Sequence, residues 1–314
     1  MDLPAGFELR APTPDDLEAV AEVLVADEID DAGQIVLLDA DFLRDEWSRA
    51  DFDLASDAWV VIDGGGTIVG YGQAIHEHPG IVDSWGVVHP EHRGKGVGSP
   101  LLDRIEERAA EHVAGLPSSR FRHAINASDL AVADMLAARD LSPVRHFWHM
   151  EIGLKGPIEP GPVPQGIEIT GIDTPGDLPA VHSLLNETFA DHWDHHPELF
   201  DKWARNETGS PSFDPSLWLL AKGKGQPVAT LTGLVQSDRG WVNQLGVLAN
   251  SRGRGIGAAL LRHAFATFAG RGLRRVLLNV DSENPTGATA LYERVGMRVV
   301  KRWDLWERSW SGPG

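Results

Sequence analysis

The sequence predicts an α/β protein of two tandem domains, each with a mixed α+β central sheet flanked by helices. Three observations predict this: a repeated pattern, alternating strand and helix signals in each copy, and a Pro- and Gly-rich segment between the copies. With 314 residues, the chain is long enough for two domains that each bury a hydrophobic core. We therefore predict an N-terminal domain at 1–154, a linker at 155–166 and a C-terminal domain at 167–314.

The repeat is defined by pairs of similar segments. The clearest pairs are Trp59–Ile62 with Trp218–Ala221, Gly86–Val88 with Gly246–Leu248, and Arg93–Gly98 with Arg252–Gly257. The differences 218 − 59 and 252 − 93 both give an offset of 159 residues, which indicates a duplication. Between the copies, the prolines from Pro157 to Pro164 remove backbone donors and favour an extended chain, which predicts a semi-rigid linker.

Each copy has the same predicted order of elements. A short strand precedes a helix that begins after Asp, Thr or Pro, and a variable polar helical region follows. Two strands separated by a Gly turn come next, and a third strand leads into a glycine-rich loop that opens a helix. In the second copy the predicted elements are Trp218–Ala221, Val228–Val235, a strand ending at Leu248, Ala258–Ala269, Arg275–Val280, Pro285–Val295 and a terminal strand at Met297–Trp306.

The composition excludes several classes of function. The chain has no Cys, so disulfides, thiolate metal sites and a covalent cysteine intermediate are excluded, and an acyl group would pass directly from donor to acceptor. A net charge of −18 argues against nucleic acid or anionic membrane as a partner, because both need clustered Lys and Arg. No apolar run is long enough to span a bilayer and no signal-peptide pattern is present, which predicts a cytoplasmic protein.

The acidic residues are concentrated in the first half of the chain. This distribution has two interpretations: an acidic solubilising surface, or an acidic wall that attracts a cationic amine substrate. The second half is nearly neutral, so a phosphate-bearing ligand would meet less repulsion there.

The glycine-rich loop after the third strand predicts a phosphate-binding site. Arg252–Gly257 follows an apolar strand and precedes an amphipathic helix, and Arg93–Gly98 has the same context in the first copy. Glycine lets the backbone turn sharply and approach a ligand without a clashing Cβ. Unpaired N–H groups at the helix N-terminus then favour a diphosphate, with a dipole contribution of roughly 0.3–2 kcal/mol. The alternative is an ordinary strand-to-helix turn, which repetition of the pattern in one chain disfavours.

The pattern Arg-x-x-Gly-x-Gly after a strand that ends in Val resembles the acyl-CoA-binding motif of the GNAT superfamily of N-acetyltransferases. The resemblance covers most of the chain, once per copy, and the tandem layout resembles the mycothiol-synthase-like branch. It implies acetyl-CoA as the cofactor, with the loop amides on the pyrophosphate and the preceding strand along the pantetheine arm. The implied contacts are Val247, Leu248, Arg252, Gly253, Arg254, Gly255, Ile256, Gly257 and Ala258 in the second copy, and Val87, Val88, Arg93, Gly94, Lys95, Gly96, Val97, Gly98 and Ser99 in the first.

The segment 279–297 resembles the second motif of the family, in which an Asn follows the fifth strand and an Ala-x-x-Leu-Tyr helix ends before Gly-Phe or Gly-Met. The resemblance implies that Asn284 contacts the cofactor and that the Tyr292 hydroxyl faces the thioester sulfur. A phenol with a pKa near ~10 stays protonated at neutral pH and can donate to a departing thiolate whose parent thiol has a pKa near ~8.5. The alternative is a Tyr that only packs the helix against the sheet.

The first copy departs from this motif. Aligning Asp140 with Gly296 puts Leu136 where Tyr292 stands and Ser128 where Asn284 stands, with Asn126 close by. Because leucine cannot donate a proton, we expect the first copy to be a structural or regulatory domain.

The sequence leaves the general base open. The strand before the second glycine loop has no carboxylate, whereas many members of the family use a Glu there. Asp238 just upstream, His192 in the variable region, and a water held by Asn243 or Gln244 are the alternatives. His192 and His196 have helical spacing, but no Glu completes a zinc motif, so no metal site is predicted.

The leading hypothesis is an acetyl-CoA-dependent N-acetyltransferase that moves the acetyl group directly onto a primary amine of a small, cationic or neutral, acceptor. The C-terminal domain would catalyse the transfer, and a cysteinyl amino-sugar is a narrower hypothesis for the acceptor. The alternatives are a non-catalytic acyl-CoA-binding or regulatory protein, and a protein or peptide N-acetyltransferase.

Overall fold

The computed structural model describes residues 3–32, 36–172, 176–284 and 286–311. The chain divides into two compact units: the first comprises 1–147 and 302–314, and the second comprises 148–301. These boundaries differ from the predicted domains, because the C-terminal residues belong to the first unit and the predicted linker belongs to the second.

Strands and helices alternate along the chain. The strands are β1 (Phe7–Arg10), β2 (Ala58–Asp63), β3 (Ile68–His78), β4 (Ile81–Val88), β5 (Ser118–Asn126), β6 (Ser142–Gly153), β7 (Ile167–Gly171), β8 (Leu219–Gly223), β9 (Gln226–Gln236), β10 (Arg239–Val247), β11 (Arg275–Asp281) and β12 (Arg298–Ser311). The helices are α1 (Leu17–Ala32), α2 (Ala40–Trp47), α3 (Leu54–Asp57), α4 (Gly98–His112), α5 (Leu130–Ala137), α6 (Leu178–Phe189), α7 (Phe200–Gly209), α8 (Ile256–Gly270) and α9 (Ala288–Arg294). Within the described ranges, none of these helices is both long and apolar enough to cross a bilayer.

The first unit has a mixed sheet with the strand order β1-β2-β3-β4-β5-β12. Its neighbours are antiparallel except β4 and β5, which are parallel. Residues 303–311 of β12 pair antiparallel with β5, and Trp310 stacks on Phe121 with 5.5 Å between ring centroids. The prediction that kept this terminal strand in the C-terminal domain is therefore corrected: its tryptophans complete the core of the first unit.

The second unit has a mixed sheet with the strand order β6-β11-β10-β9-β8-β7, in which β10 and β11 are parallel. Helices α6 and α8 cover opposite faces of this sheet. A Cβ at Gly240 would lie 2.6 Å from the ring of Phe268 in α8, and a Cβ at Gly246 would collide with Thr188 in α6. Glycine at these two positions allows both helices to pack directly on β10.

The predicted linker packs against the second unit. A Cβ at Gly255 would lie 3.8 Å from Pro164, and a Cβ at Gly161 would lie 3.6 Å from Cδ of Arg262 in α8. This segment therefore runs along the glycine-rich loop and the helix after it, and it is more than a spacer.

The two glycine loops sit against equivalent strand ends. A Cβ at Gly98 would lie 3.8 Å from Cγ2 of Val88, and a Cβ at Gly257 would lie 3.6 Å from Cγ2 of Val247. The differences 247 − 88 and 257 − 98 are both 159, so Val88 corresponds to Val247. The sequence match that paired Val88 with Leu248 was one residue out of register. It aligned Gly86 with Gly246, which are 160 residues apart, whereas the structural offset is 159.

Candidate active site

The glycine-rich loop of the second unit presents a row of free amide groups. Gly253 and Gly255 have φ angles of 75° and 81°, in the left-handed region that favours glycine. Gly255 is also the N-cap of α8 and provides no side chain to cap it. The backbone N–H groups from Gly253 through Ala258 make no hydrogen bond to any residue that the structure describes. A concave set of N–H donors at a helix N-terminus is suited to bind a phosphate or diphosphate.

Strand β10 separates from β11 after Val242, so the half of β10 that leads to this loop is unpaired on that side. The two strands pair only from Gly240–Val276 to Val242–Leu278, and a β-bulge interrupts β10 between Val242 and Gln244. The rest of β10, from Asn243 onward, is paired on its β9 side alone. The opened edge carries backbone groups that can pair with an extended amide-containing arm.

The corresponding opening in the first unit is smaller. Strands β4 and β5 stay paired from Ile81–Arg120 through Trp85–Ala124, and the β3–β4 ladder has no bulge at this level. Ser84 adds a side-chain contact between these strands, with its hydroxyl 2.8 Å from Nδ1 of His123.

The arginine that begins each loop has different partners in the two units. Nε of Arg252 donates to the carbonyl of Val247 at 3.0 Å, and its exposed terminal nitrogens make no ion pair with a described residue. Arg93 instead donates to Asp27 at 2.6 Å and to Asp30 at 2.7 Å, both in α1. The positive charge is therefore available to a ligand in the second unit and neutralised by two carboxylates in the first.

Tyr292 lies in α9, next to the start of α8. A Cβ at Gly257 would lie 3.0 Å from Cδ2 of Leu291, which places this helix against the glycine loop. Tyr292 is 8% exposed, and its hydroxyl makes no hydrogen bond to a described residue. Burial raises the pKa of Tyr292 to about 12, so the phenol is protonated at every physiological pH.

The first unit has Leu136 at the position of Tyr292. The N–H of Met297 donates to the Tyr292 carbonyl at 3.0 Å, and the N–H of Leu141 donates to the Leu136 carbonyl at 3.1 Å. Leu136 is fully buried. The first unit therefore contains no phenol at the end of this helix.

Asn284 forms a turn between β11 and α9. Its Oδ1 accepts hydrogen bonds from the N–H and the hydroxyl of Thr286. In the first unit the same two bonds run from Ser128 to Oδ1 of Asn126. The equivalent of Asn284 is therefore Asn126, and the alignment with Ser128 is corrected. In both turns the side-chain NH₂ is directed away from the two bonds that the oxygen accepts.

His192 lies near the glycine loop of the second unit. It follows α6, and its ring contacts Phe189 with 4.3 Å between centroids. Partial burial lowers its pKa, opposed by Asp281 at the end of β11 and assisted by His195 and Arg252. The tertiary structure thus brings His192 within electrostatic range of the loop arginine and of the end of β11.

Asp238 lies outside this region. It precedes β10, whose nine residues span about 30 Å, whereas the glycine loop follows the other end of that strand. Its carboxylate is 69% exposed and lies 3.0 Å from a guanidinium nitrogen of Arg275. Asp238 therefore lies at the end of β10 opposite the glycine loop, and its role as general base stays a prediction.

Sequence reasoning missed three features of the site: the bulge at Asn243, the neutralising carboxylates around Arg93, and Thr232 of β9. Thr232 lies directly across from Gln244 in the β9–β10 ladder. These features depend on strand register and on ion pairs between residues far apart in the chain, so no short sequence pattern predicts them.

Both halves of the chain match models of one protein family. The model of the "Acetyltransferase (GNAT) family" matches residues 178–297, and that of an "Acetyltransferase (GNAT) domain" matches residues 55–133. The chain is 31% identical over 227 residues to the mycothiol acetyltransferase of Thermobispora bispora, which covers 70% of this chain and 72% of that protein. The chain belongs to the GNAT acetyltransferase family.

Further relatives share sequence or fold with both units of this chain. The mycothiol acetyltransferase of Salinispora tropica is 33% identical over 249 residues, covering 74% of this chain and 75% of that protein. The solved GCN5-related N-acetyltransferase from Sphaerobacter thermophilus is 32% identical, with a TM-score of 0.84 over 100% of this chain and 98% of that one. A tandem GNAT protein from the clavulanic acid pathway, 17% identical, shares the fold with a TM-score of 0.73 over 98% of this chain and 99% of its own. This GNAT protein is an acetyl-CoA-dependent acyltransferase.

The burial of both tyrosines gives a direct test of the site. The chain has 2 Tyr, and burial also raises the pKa of Tyr71. In a Tyr71→Phe variant, absorbance titration of the remaining phenol should give a midpoint near 12. Because the folded pKa exceeds the unfolded value of about 10, the folded state should lose stability as pH rises from about 10 through the folded pKa. A midpoint near that of free tyrosine in the folded protein would contradict the burial of Tyr292.

Proposed function

We propose that this chain transfers the acetyl group of acetyl-CoA directly onto the primary amine of a small acceptor, and that the second unit performs the transfer. One observation carries the proposal: in the second unit a protonated phenol, Tyr292, lies on the helix that packs against the uncapped glycine loop, whereas the first unit has Leu136 at that position. Direct transfer is supported by the absence of Cys from the chain, which removes the usual thiol for an acyl-enzyme intermediate.

The second unit has the groups needed to hold the cosubstrate. The free amides from Gly253 through Ala258 and the guanidinium of Arg252 match the charge and hydrogen-bonding needs of the diphosphate. The opened edge of β10 beyond Val242 matches the amides of the pantetheine arm. Bound in this way, the thioester would lie between β10 and the end of α9.

Tyr292 stabilises the leaving group in this proposal. The amine nitrogen attacks the thioester carbon, the C–N bond forms, and the C–S bond breaks with its electron pair on sulfur. A phenol with a pKa of about 12 is a weaker acid than a thiol near ~8.5, so full proton transfer to the thiolate is unfavourable. Tyr292 therefore donates a hydrogen bond to the sulfur and keeps its proton, and solvent protonates the released thiolate.

His192 is the proposed acceptor of the proton that the amine loses. Its lowered pKa keeps the imidazole neutral near pH 7, with a lone pair available. It lies within the electrostatic influence of Arg252 and Asp281, which supports a position at the mouth of the same site.

The first unit is proposed to perform no transfer. Its loop arginine is paired with Asp27 and Asp30, its β4–β5 strands remain paired further, and Leu136 replaces the phenol. Each of these differences removes one requirement of the reaction. A structural or regulatory role for this unit remains the proposal for the N-terminal half.

The acceptor is proposed to be a small primary amine, with a cysteinyl amino-sugar as the first candidate. The relatives named mycothiol acetyltransferase support this choice. The test is thiol release from acetyl-CoA over a panel containing ethanolamine, glucosamine, cysteine methyl ester, spermidine and a cysteinyl amino-sugar. Tight acetyl-CoA binding with no acetylation of any amine, peptide or protein would instead support a binding protein.

Replacing Tyr292 tests the leaving-group role. Tyr292→Phe should lower kcat by roughly 10²-fold or more and leave acetyl-CoA affinity nearly unchanged, because the lost hydrogen bond forms mainly in the transition state. Tyr71→Phe is the matched control, since it removes the other phenol, which bonds Gln73 in the first unit. Equal turnover in the Tyr292→Phe variant and the wild type would exclude the role.

Replacing the two loop arginines tests which unit holds the cosubstrate. Arg252→Ala should weaken acetyl-CoA binding by roughly tenfold or more in calorimetry, since a charge-assisted hydrogen bond is worth about 1.5–3 kcal/mol. Arg93→Ala should leave affinity unchanged, because Asp27 and Asp30 already neutralise that guanidinium. The reverse ranking of the two variants would assign the site to the first unit.

The pH dependence of kcat/KM tests His192. Its folded pKa is lowered, so activity should be full at neutral pH and fall only in the acid range, as pH passes down through a value below 6.5. His192→Asn should lower activity near neutrality and remove that acid limb, with His196→Asn as the control. Persistence of the same acid limb in His192→Asn would show that another group titrates.

A further inference from the structure

Two buried oxygens in the second unit have no hydrogen-bond partner among the described residues. They are Oγ1 of Thr232, a residue that is 0% exposed, and Oε1 of Gln244. These residues are direct register partners on β9 and β10, which sets their Cβ atoms about 4.5–5.5 Å apart. Native proteins leave few buried polar atoms unpaired, so two on neighbouring side chains call for an explanation.

Both side chains point to the face of the sheet that α6 covers. Gly233 faces Phe268 of α8, so the adjacent Thr232 faces the opposite side. Gln244 is paired with Thr232 and shares that face. Two residues further along β10, Gly246 packs on Thr188 of α6.

The pair also lies beside the opening of the sheet. Gln244 directly follows the bulge at Asn243, and β11 has already separated from β10 after Val242. The two oxygens are therefore next to the strand edge along which the thioester is proposed to lie.

The duplicated unit gives an internal comparison. The residues at the same ladder position, at the offset of 159, are Gln73 and Trp85, which are also register partners. Oε1 of Gln73 accepts from the Tyr71 hydroxyl at 2.6 Å, its Nε2 donates to Glu46 at 3.0 Å, and the Trp85 ring lies 5.2 Å from that of Tyr71. The inactive unit thus fills this position with aromatic rings and satisfies its polar atoms, whereas the second unit has smaller side chains and unpaired oxygens.

We propose that Thr232 and Gln244 bind the acceptor nitrogen, each oxygen accepting one N–H. This inference rests on the proposed acetyltransferase function. Both oxygens are uncharged, so they stabilise a bound ammonium ion less than a carboxylate would, and burial away from bulk water lowers the pKa of the bound amine. The site therefore needs no carboxylate on β10, because burial of the bound acceptor favours its neutral amine form, which is the nucleophile.

The step balances in protons and electrons. The ammonium ion loses one proton to bulk solvent before it binds, and the neutral amine keeps two N–H groups for the two oxygens. Its lone pair then forms the C–N bond as the C–S bond breaks, the nitrogen gives up one N–H proton through water to His192, and solvent protonates the thiolate. A neutral secondary amine has only one N–H and leaves one oxygen unpaired, so the pair selects primary amines.

The test compares two threonines on the same strand. Thr230 is also 0% exposed and faces α6, but its Oγ1 donates to the Leu219 carbonyl at 3.0 Å. With the best panel amine of the wild type as the probe, Thr232→Val should raise the amine KM about tenfold or more and leave the acetyl-CoA KM unchanged. It should not lower the melting temperature, because a methyl replaces an unpaired oxygen. Thr230→Val should lower the melting temperature and leave the amine KM unchanged.

A variant of Gln244 and a secondary-amine substrate test the same proposal independently. Gln244→Leu should also raise the amine KM selectively, and the N-methyl form of the probe amine should be a poor substrate for the wild type. Unchanged amine KM in both variants, or equal use of primary and secondary amines, would overturn this inference and leave the acetyltransferase proposal standing. Acetyl-CoA binding without acetylation of any amine would overturn both.

Discussion

The free amide groups at the start of α8 are the constraint on which the second unit's site depends. Gly253 and Gly255 turn the chain so that six consecutive N–H groups, from Gly253 through Ala258, lack protein acceptors among the described residues. Such groups are costly unless an anion or water binds them. In our proposal the diphosphate that they bind sets the depth of the thioester along β10, and thereby its distance from Tyr292. The bulge and the strand opening matter because they lie on that path.

The duplication gives two copies of one fold that carry different groups at equivalent positions. The first unit keeps the sheet order, the loop glycines and even the turn at Asn126, yet its loop arginine is bound by carboxylates and Leu136 replaces the phenol. In our proposal these differences remove the groups that bind and act on the cosubstrate, while the first unit keeps a packed core. A shared fold does not by itself give two units the same function, which depends on the groups in each site.

The unpaired oxygens of Thr232 and Gln244 bear on the missing carboxylate of β10. A general base on β10 is needed when the acceptor binds as an ammonium ion and remains protonated in the site. In the proposed site, burial disfavours the ammonium ion, and the two neutral acceptors offset that cost less than a carboxylate would, so the pKa of the bound amine is lowered. The first unit satisfies the equivalent atoms internally, which supports a ligand-related role for the unpaired state in the second unit.

The sequence alone determined the fold class, the duplication, the two glycine loops and the contrast between Tyr292 and Leu136, because these depend on local patterns of a few residues. The tertiary structure decided what depends on distant segments. It assigned the terminal strand to the first unit, put Asp238 at the end of β10 opposite the glycine loop, and brought His192 within electrostatic range of Arg252. Strand pairing and register are set by contacts between residues far apart in the chain, and the sequence pattern of one strand does not record where its neighbour stops pairing.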